Sequence, residues 1–207
     1  FQTFIDGDNS LAQGFVDDAR VEMISFTGST AIGRHVGTRV AERMGRCLLE
    51  LGGNNAIIID QDADLELAIP AVTFGAVGTA GQRCTTTRRL LVHESMRDEV
   101  SDRLRSAYAQ VRIGDPLDAR TLMGPLIDES SVQRYQHALS RARELGGEVL
   151  YGGNVLDRAG HFVEPALVCA SNDWDIVQDE TFAPILYIIP FGDLDEAIAM
   201  QNGVAQV

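Results

Sequence analysis

One cysteine, Cys84, sits in the run Gly78-Thr79-Ala80-Gly81-Gln82-Arg83-Cys84-Thr85-Thr86, after a glycine-broken apolar stretch and before two threonines. A thiolate is a strong nucleophile, and a neighbouring cation such as Arg83, together with free backbone N–H groups, favours that form over the thiol. The same donors could stabilise the oxyanion formed when sulfur attacks a carbonyl. A small packed thiol is the commoner role for a lone cysteine, and this stretch alone leaves both readings open. Glu50 lies 34 residues upstream, in the apolar run Cys47-Leu48-Leu49-Glu50-Leu51 ahead of Gly52-Gly53. Packed against apolar walls, its carboxyl would rise toward the range of a general base. As an exposed edge glutamate it would do no such thing.

Two further stretches carry ligand chemistry. Phe26-Thr27-Gly28-Ser29-Thr30-Ala31-Ile32-Gly33 reads as a strand, a glycine turn and a helix start, where unpaired N–H groups can hold a phosphate. Gly28 permits the turn, Ser29 adds a hydroxyl, and Gly33 allows close approach. The pattern is looser than GxGxxG, so an ordinary strand-to-helix turn stays open. In Asp179-Glu180-Thr181-Phe182-Ala183-Pro184 a carboxylate is placed to accept two hydroxyls, as from a ribose, beside an aromatic ring that packs on a flat ligand or in the core. His93, the nearest histidine to Cys84 on the downstream side, ends a strand and reads as a surface or capping residue. None of the four histidines forms a recognisable dyad with the thiol.

Strands and helices must position these groups. Val21 to Phe26 reads as a strand leading into a helix that carries Ile32, Val36 and Val40 at helical spacing. Cys47 to Leu51 and Ala56 to Asp60 read as strands flanking the glycines. Asp64 caps a helix with Leu65, Ile69, Val72 and Ala76 on one side, and Pro70 predicts a kink or break in it. Arg88 to His93 is a strand, and Ser95 opens a helix with Met96, Val100, Leu104 and Ala107. A further helix from about Glu129 to Leu145 stops at Gly146-Gly147. Glu148 to Tyr151, Ala166 to Cys169 and Ile185 to Pro190 are strands, and Asp193 to Asn202 is the last helix. The alternation predicts an α/β fold, a mostly parallel sheet with flanking helices.

The bulk composition narrows the class. With 45% hydrophobic and 23% charged residues, the 207-residue chain has the makings of a globular core. Acidic residues outnumber basic ones 30 to 17, for a net charge of −13, which speaks against nucleic acid or an anionic membrane as partner. Cys47, Cys84 and Cys169 are widely spaced and odd in number, which argues against a disulfide framework and for a reducing, cytoplasmic setting. No metal-ligand cluster is visible. The chain begins at Phe1 without Met and stops just after an apparent helix, so it is expected to be a fragment of a longer polypeptide.

In their order, FTGSTAIG, LLELGG, GQRCT and DETFAP resemble the motifs of the NAD(P)-dependent aldehyde dehydrogenase superfamily, and the step from Glu50 to Cys84 matches its base-to-nucleophile spacing. ELGGNN and GTAGQRCTTTRRL are similar to the antiquitin branch, the α-aminoadipic semialdehyde dehydrogenases, and Asn54 in place of a common lysine supports that branch. The resemblance implies that Cys84 attacks an aldehyde to give a thiohemiacetal and then a thioester, with NAD as hydride acceptor and NADP left open. Glu50 would activate the hydrolytic water, and the Cys84 N–H would supply half of an oxyanion hole. Gly28 and Ser29 would meet the cofactor pyrophosphate, and Leu51 and Gly52 the nicotinamide end. Glu180 would hold the nicotinamide ribose, Phe182 would flank the ring, and Arg83 would read the polar end of the substrate.

By the same resemblance, residues 1–47 are the C-terminal part of an NAD-binding domain and residues 48–207 a catalytic domain incomplete at its C-terminus. The isolated chain is expected to be inactive, its partner in the complete protein being a small-molecule aldehyde and further copies in a dimer or tetramer. Two rivals remain: a catalytically silent binding or structural protein with this fold, and a thiol hydrolase that pairs Cys84 with a histidine.

Overall fold

Alternating apolar runs and amphipathic stretches become an α/β structure in the computed structural model, which describes residues 2–5 and 7–206. The chain divides between Gly52 and Gly53 into two units. The first contains α1 (Ser10–Asp17), β1 (Met23–Thr27), α2 (Thr30–Glu42) and β2 (Arg46–Glu50). β1 and β2 are parallel, in register from Met23 opposite Arg46 to Thr27 opposite Glu50. That pairing carries the first unit on to Gly52. Ile24, Val36 and Val40 are buried together, with Val16, Val21, Phe26 and Leu49 packed around them. Ile32 is exposed. The inward stripe of α2 is Gly33, Val36 and Val40, and Ile32 lies one position off it, turned about 100° away.

The second unit contains β3 (Asn55–Ile59), α3 (Leu65–Val77), β4 (Thr87–His93), α4 (Arg97–Tyr108), α5 (Glu129–Glu144), β5 (Glu148–Tyr151), β6 (Ala166–Cys169), α6 (Asp175–Gln178), β7 (Ile185–Phe191) and α7 (Leu194–Asn202). Its sheet has the order β3-β4-β7-β6-β5, parallel throughout except for β5, which runs against β6. Central strands of a parallel sheet are covered on both faces, so their sequences are near-continuous apolar runs. Leu90, Leu91 and Val92 of β4 and Leu186, Ile188 and Ile189 of β7 fit that rule. Arg88 and Arg89, buried in the same strand, do not.

Several helix starts carry side-chain caps, that of Asp64 as expected. Asp64 accepts from Glu66 N–H and Leu67 N–H, Asp128 from Ser131 N–H, and Asp193 from Glu196 N–H. His93 turns its Nδ1 onto Ser95, as a capping residue does, and α4 begins only at Arg97, after a 3₁₀ turn over Glu94–Met96. α3 runs through Pro70 without a break. Pro70 and Glu66, whose carbonyl loses its helical donor, both lie on the exposed side, where water can replace the missing bond. The short helices α1 and α6, and a 3₁₀ turn over Gly78–Gly81, had no clear sequence signal. No described helix is long and apolar enough to cross a membrane.

Candidate active site

Parallel strands that neighbour one another start at the same edge of the sheet. In the second unit the segments leading into β3, β4 and β7 are therefore adjacent: Gly53-Asn54, the loop from Gly78 to Thr86, and Glu180 to Pro184. These segments carry Cys84, Arg83, Glu180 and Phe182.

The Cys84 loop departs from ordinary backbone geometry. Thr79, Ala80 and Gly81 all have left-handed φ, at 52°, 51° and 71°. Glycine is required at the last: a Cβ on Gly81 would lie 2.3 Å from the Ala183 carbonyl carbon, in the segment before β7. Gln82 ties the loop further, donating to Thr79 O and Pro125 O and accepting from Ile127 N–H. Cys84 stands exposed at the end of this loop, a free thiol like Cys47 and Cys169. Asn55, at the start of β3, donates from Nδ2 to the carbonyls of Cys84 at 2.6 Å and Thr86 at 3.0 Å.

The fixed charge beneath the loop is Arg88. Its guanidinium donates to Gly53 O at 3.1 Å, Gly81 O at 3.3 Å and Arg83 O at 2.9 Å, and pairs with Glu180 Oε1 at 2.9 Å. Phe182 lies over it, 5.3 Å from ring centroid to guanidinium carbon. Burial, the largest influence, pulls Arg88 below its ordinary pKa, while the carboxylate of Glu180 and the thiol of Cys84 push it back up. The guanidinium stays charged all the same. Arg83, the cation adjacent in sequence, points elsewhere: its Nε donates to Thr79 Oγ1 at 2.8 Å and its guanidinium covers the Phe74 ring. It borders a cavity of about 560 Å³ lined also by Phe74, Thr79, Thr121 and Leu122.

Glu180 Oε1 also accepts from Gly53 N–H at 3.2 Å. Asn54 fastens the same region from the other side, donating to Val177 O and Gln178 O, while its own carbonyl accepts twice from Arg89. Arg89 is wholly buried, without a carboxylate partner among the described residues. Met200 O and Gln201 O, at the C-terminal end of α7, and the Asn172 side chain hold its charge. Asn55, Arg88 and Arg89 were not singled out in the sequence. A pair of arginines opening an apolar strand was the available signal.

In the first unit, Gly28 N–H donates to Glu50 O, which closes the turn between β1 and α2 beside the end of β2. Ser29 caps α2, accepting from Ile32 N–H at 3.4 Å. A Cβ on Gly33 would lie 2.2 Å from Leu51 Cδ2, so glycine there lets Leu51 lie across the helix. Glu50, the last residue of β2, is exposed and not packed against apolar walls. Gly52 is buried at the end of this unit. Among the described residues no three His, Cys, Asp or Glu side chains are placed to hold a metal.

Comparison with known proteins gives this arrangement a context. The model of the aldehyde dehydrogenase family matches residues 1–206. The chain is 52% identical over 201 residues to α-aminoadipic semialdehyde dehydrogenase of Bos taurus, covering 97% of this chain and 37% of that protein. It is 46% identical over 204 residues to aldehyde dehydrogenase family 7 member A1 of Pisum sativum, covering 99% of this chain and 40% of that one. Among solved structures, betaine aldehyde dehydrogenase of Staphylococcus aureus in complex with NAD+ superposes with a TM-score of 0.91 at 31% identity, over 96% of this chain and 40% of the other. The chain thus spans well under half the length of these relatives.

Proposed function

The chain belongs to the aldehyde dehydrogenase family, and from that premise we propose that it carries the nucleophile and general base of an enzyme oxidising a semialdehyde to a carboxylic acid. The observation that carries the reading is the state of Cys84: an exposed thiol whose flanking carbonyls are bonded, and whose own N–H donates to no acceptor among the described residues. Sulfur adds to the aldehyde carbon, and the oxygen of the thiohemiacetal takes up negative charge next to that N–H. Glu50 then takes a proton from the water that hydrolyses the thioester left on Cys84.

NAD, or its phosphorylated form NADP, would supply the hydride acceptor. The residues present suit such a group. The first turn of α2 offers backbone donors beside Gly28 and Ser29 for a pyrophosphate. Glu180 receives its protein donors on Oε1, and no described group hydrogen-bonds Oε2, the oxygen left for ribose hydroxyls. Phe182 has a left-handed φ of 57° and is 38% exposed, an aromatic face available to a flat ring. Leu51 and Gly52 would meet the nicotinamide end.

Arg83 at the mouth of its cavity would read the polar tail of the substrate, and the α-aminoadipic semialdehyde of the Bos taurus relative's name is the aldehyde we assign. Residues 1–47 would close an NAD-binding domain and 48–207 form most of a catalytic domain, within a homo-oligomer in the cytoplasm. The test uses the complete polypeptide. NADH formation from α-aminoadipic semialdehyde and from simple aliphatic aldehydes is followed for wild type, Cys84→Ser and Glu50→Gln. Wild type should turn over, Cys84→Ser should give nothing, and Glu50→Gln should accumulate an acyl group on Cys84 visible by mass spectrometry. A wild type that binds NAD yet oxidises no aldehyde would leave a binding protein with this fold.

A further inference from the structure

Four polar contacts and one ring gather on Arg88, and every segment they reach borders Cys84 or Glu180. One contact has a specific consequence. The Arg83 carbonyl that accepts from Arg88 Nη2 belongs to the same peptide unit as the Cys84 N–H. In a trans peptide the carbonyl and the N–H point in opposite directions, so holding the oxygen inward turns the N–H outward. Thr86 N–H donates to the same oxygen at 3.1 Å, so the carbonyl is doubly held. A donor on a peptide oxygen also polarises that peptide, which strengthens its N–H as a donor in turn.

We propose that Arg88 is a positioning residue that aims and polarises the Cys84 N–H as an oxyanion donor, and that it couples this donor to the cofactor side of the site through Glu180. The assignment rests on Cys84 being the nucleophile. Arginine is needed because only a planar fork with five donors spans the carbonyls of Gly53, Gly81 and Arg83 and a carboxylate at once. A lysine would keep the charge and one or two of those bonds. Arg88 is 3% exposed and Glu180 closes off its remaining side, so neither substrate nor cofactor touches the guanidinium.

The test separates a carbonyl electrophile from an electrophile that forms no oxyanion. In the complete protein, wild type, Arg88→Lys and Arg88→Gln are each reacted with p-nitrophenyl acetate, reading p-nitrophenolate release. They are also reacted with iodoacetamide, reading alkylation of the Cys84 peptide by mass spectrometry so that the exposed Cys47 does not contribute. Expected is a slowing of ester attack by roughly 10- to 100-fold in both variants, below the full loss of an oxyanion donor, with Cys84 alkylation changed less than about threefold. Equal slowing of both reactions would mean that Arg88 acts on the thiol itself, and no slowing of either would mean it does nothing for the donor; each overturns the proposal. Thermal unfolding is measured beside them. If Arg88→Gln fails to fold, Arg88→Lys decides, and loss of fold in both makes Arg88 a folding residue only. A wild type whose Cys84 is alkylated yet never acylated would sink the nucleophile reading instead.

Discussion

Asn55 Nδ2 lies 2.6 Å from the carbonyl oxygen of Cys84, so the first residue of one strand holds the loop that leads into its neighbour. The second proton of the same amide goes to Thr86 O. Asn55→Ala should therefore cost about 1–3 kcal/mol, the range for leaving part-buried polar groups unpaired. Asn55→Asp should cost more, because it sets an acceptor against two acceptors. Unfolding midpoints of the complete protein check the order, and a midpoint for Asn55→Asp at or above that of Asn55→Ala would contradict it.

Gly81→Ala should be among the most damaging small substitutions in the loop. A positive φ of 71° strains any side chain, and the new Cβ would meet backbone of Ala183 that cannot swing away. Strain and overpacking each contribute about 1–3 kcal/mol. A lowered midpoint together with lost turnover is expected; a variant that melts like wild type would show that the loop adapts cheaply.

Replacing Glu180 separates charge from shape. Glu180→Leu leaves the buried Arg88 without its carboxylate and should destabilise by about 3 kcal/mol, the lower end for a broken buried pair because three carbonyls remain. Glu180→Gln keeps an acceptor for Arg88 and should cost less than half as much. If Glu180 also serves the cofactor, both variants should raise the NAD concentration needed for half-maximal rate, measured by titration at saturating aldehyde.

Asp128, the cap of α5, provides a pH probe of stability. The hydroxyl and N–H of Ser131, then the hydroxyl of Ser130, pull its pKa from 3.8 down to about 2. A carboxyl depressed on folding stabilises above its unfolded pKa and loses that contribution as pH falls through its folded one. The melting-temperature gap between wild type and Asp128→Ala should thus be full at pH 6 and shrink from about pH 4 to pH 2. A gap constant across that window would mean that the cap does not depend on ionisation.

How much of this was readable in advance follows from range. Caps, turns and apolar periodicity act over a few residues. Asp64 therefore marked the start of its helix, and Gly146-Gly147 marked a helix end. The alternation of strands and helices implied the mostly parallel sheet, and four ordered motifs implied the family. Order in the sheet is not local. Only the β3-β4-β7 adjacency brings Gly53, Cys84 and Glu180 to one edge. The same adjacency made Arg88, four residues from the thiol and bonded to all three segments, the cation of the site, while Arg83, next to the thiol in the chain, turned to Phe74. Sequence neighbours share a backbone, but which side chain fills a buried, charge-lined gap is settled by desolvation and hydrogen-bond geometry, and those exist only once distant strands have paired.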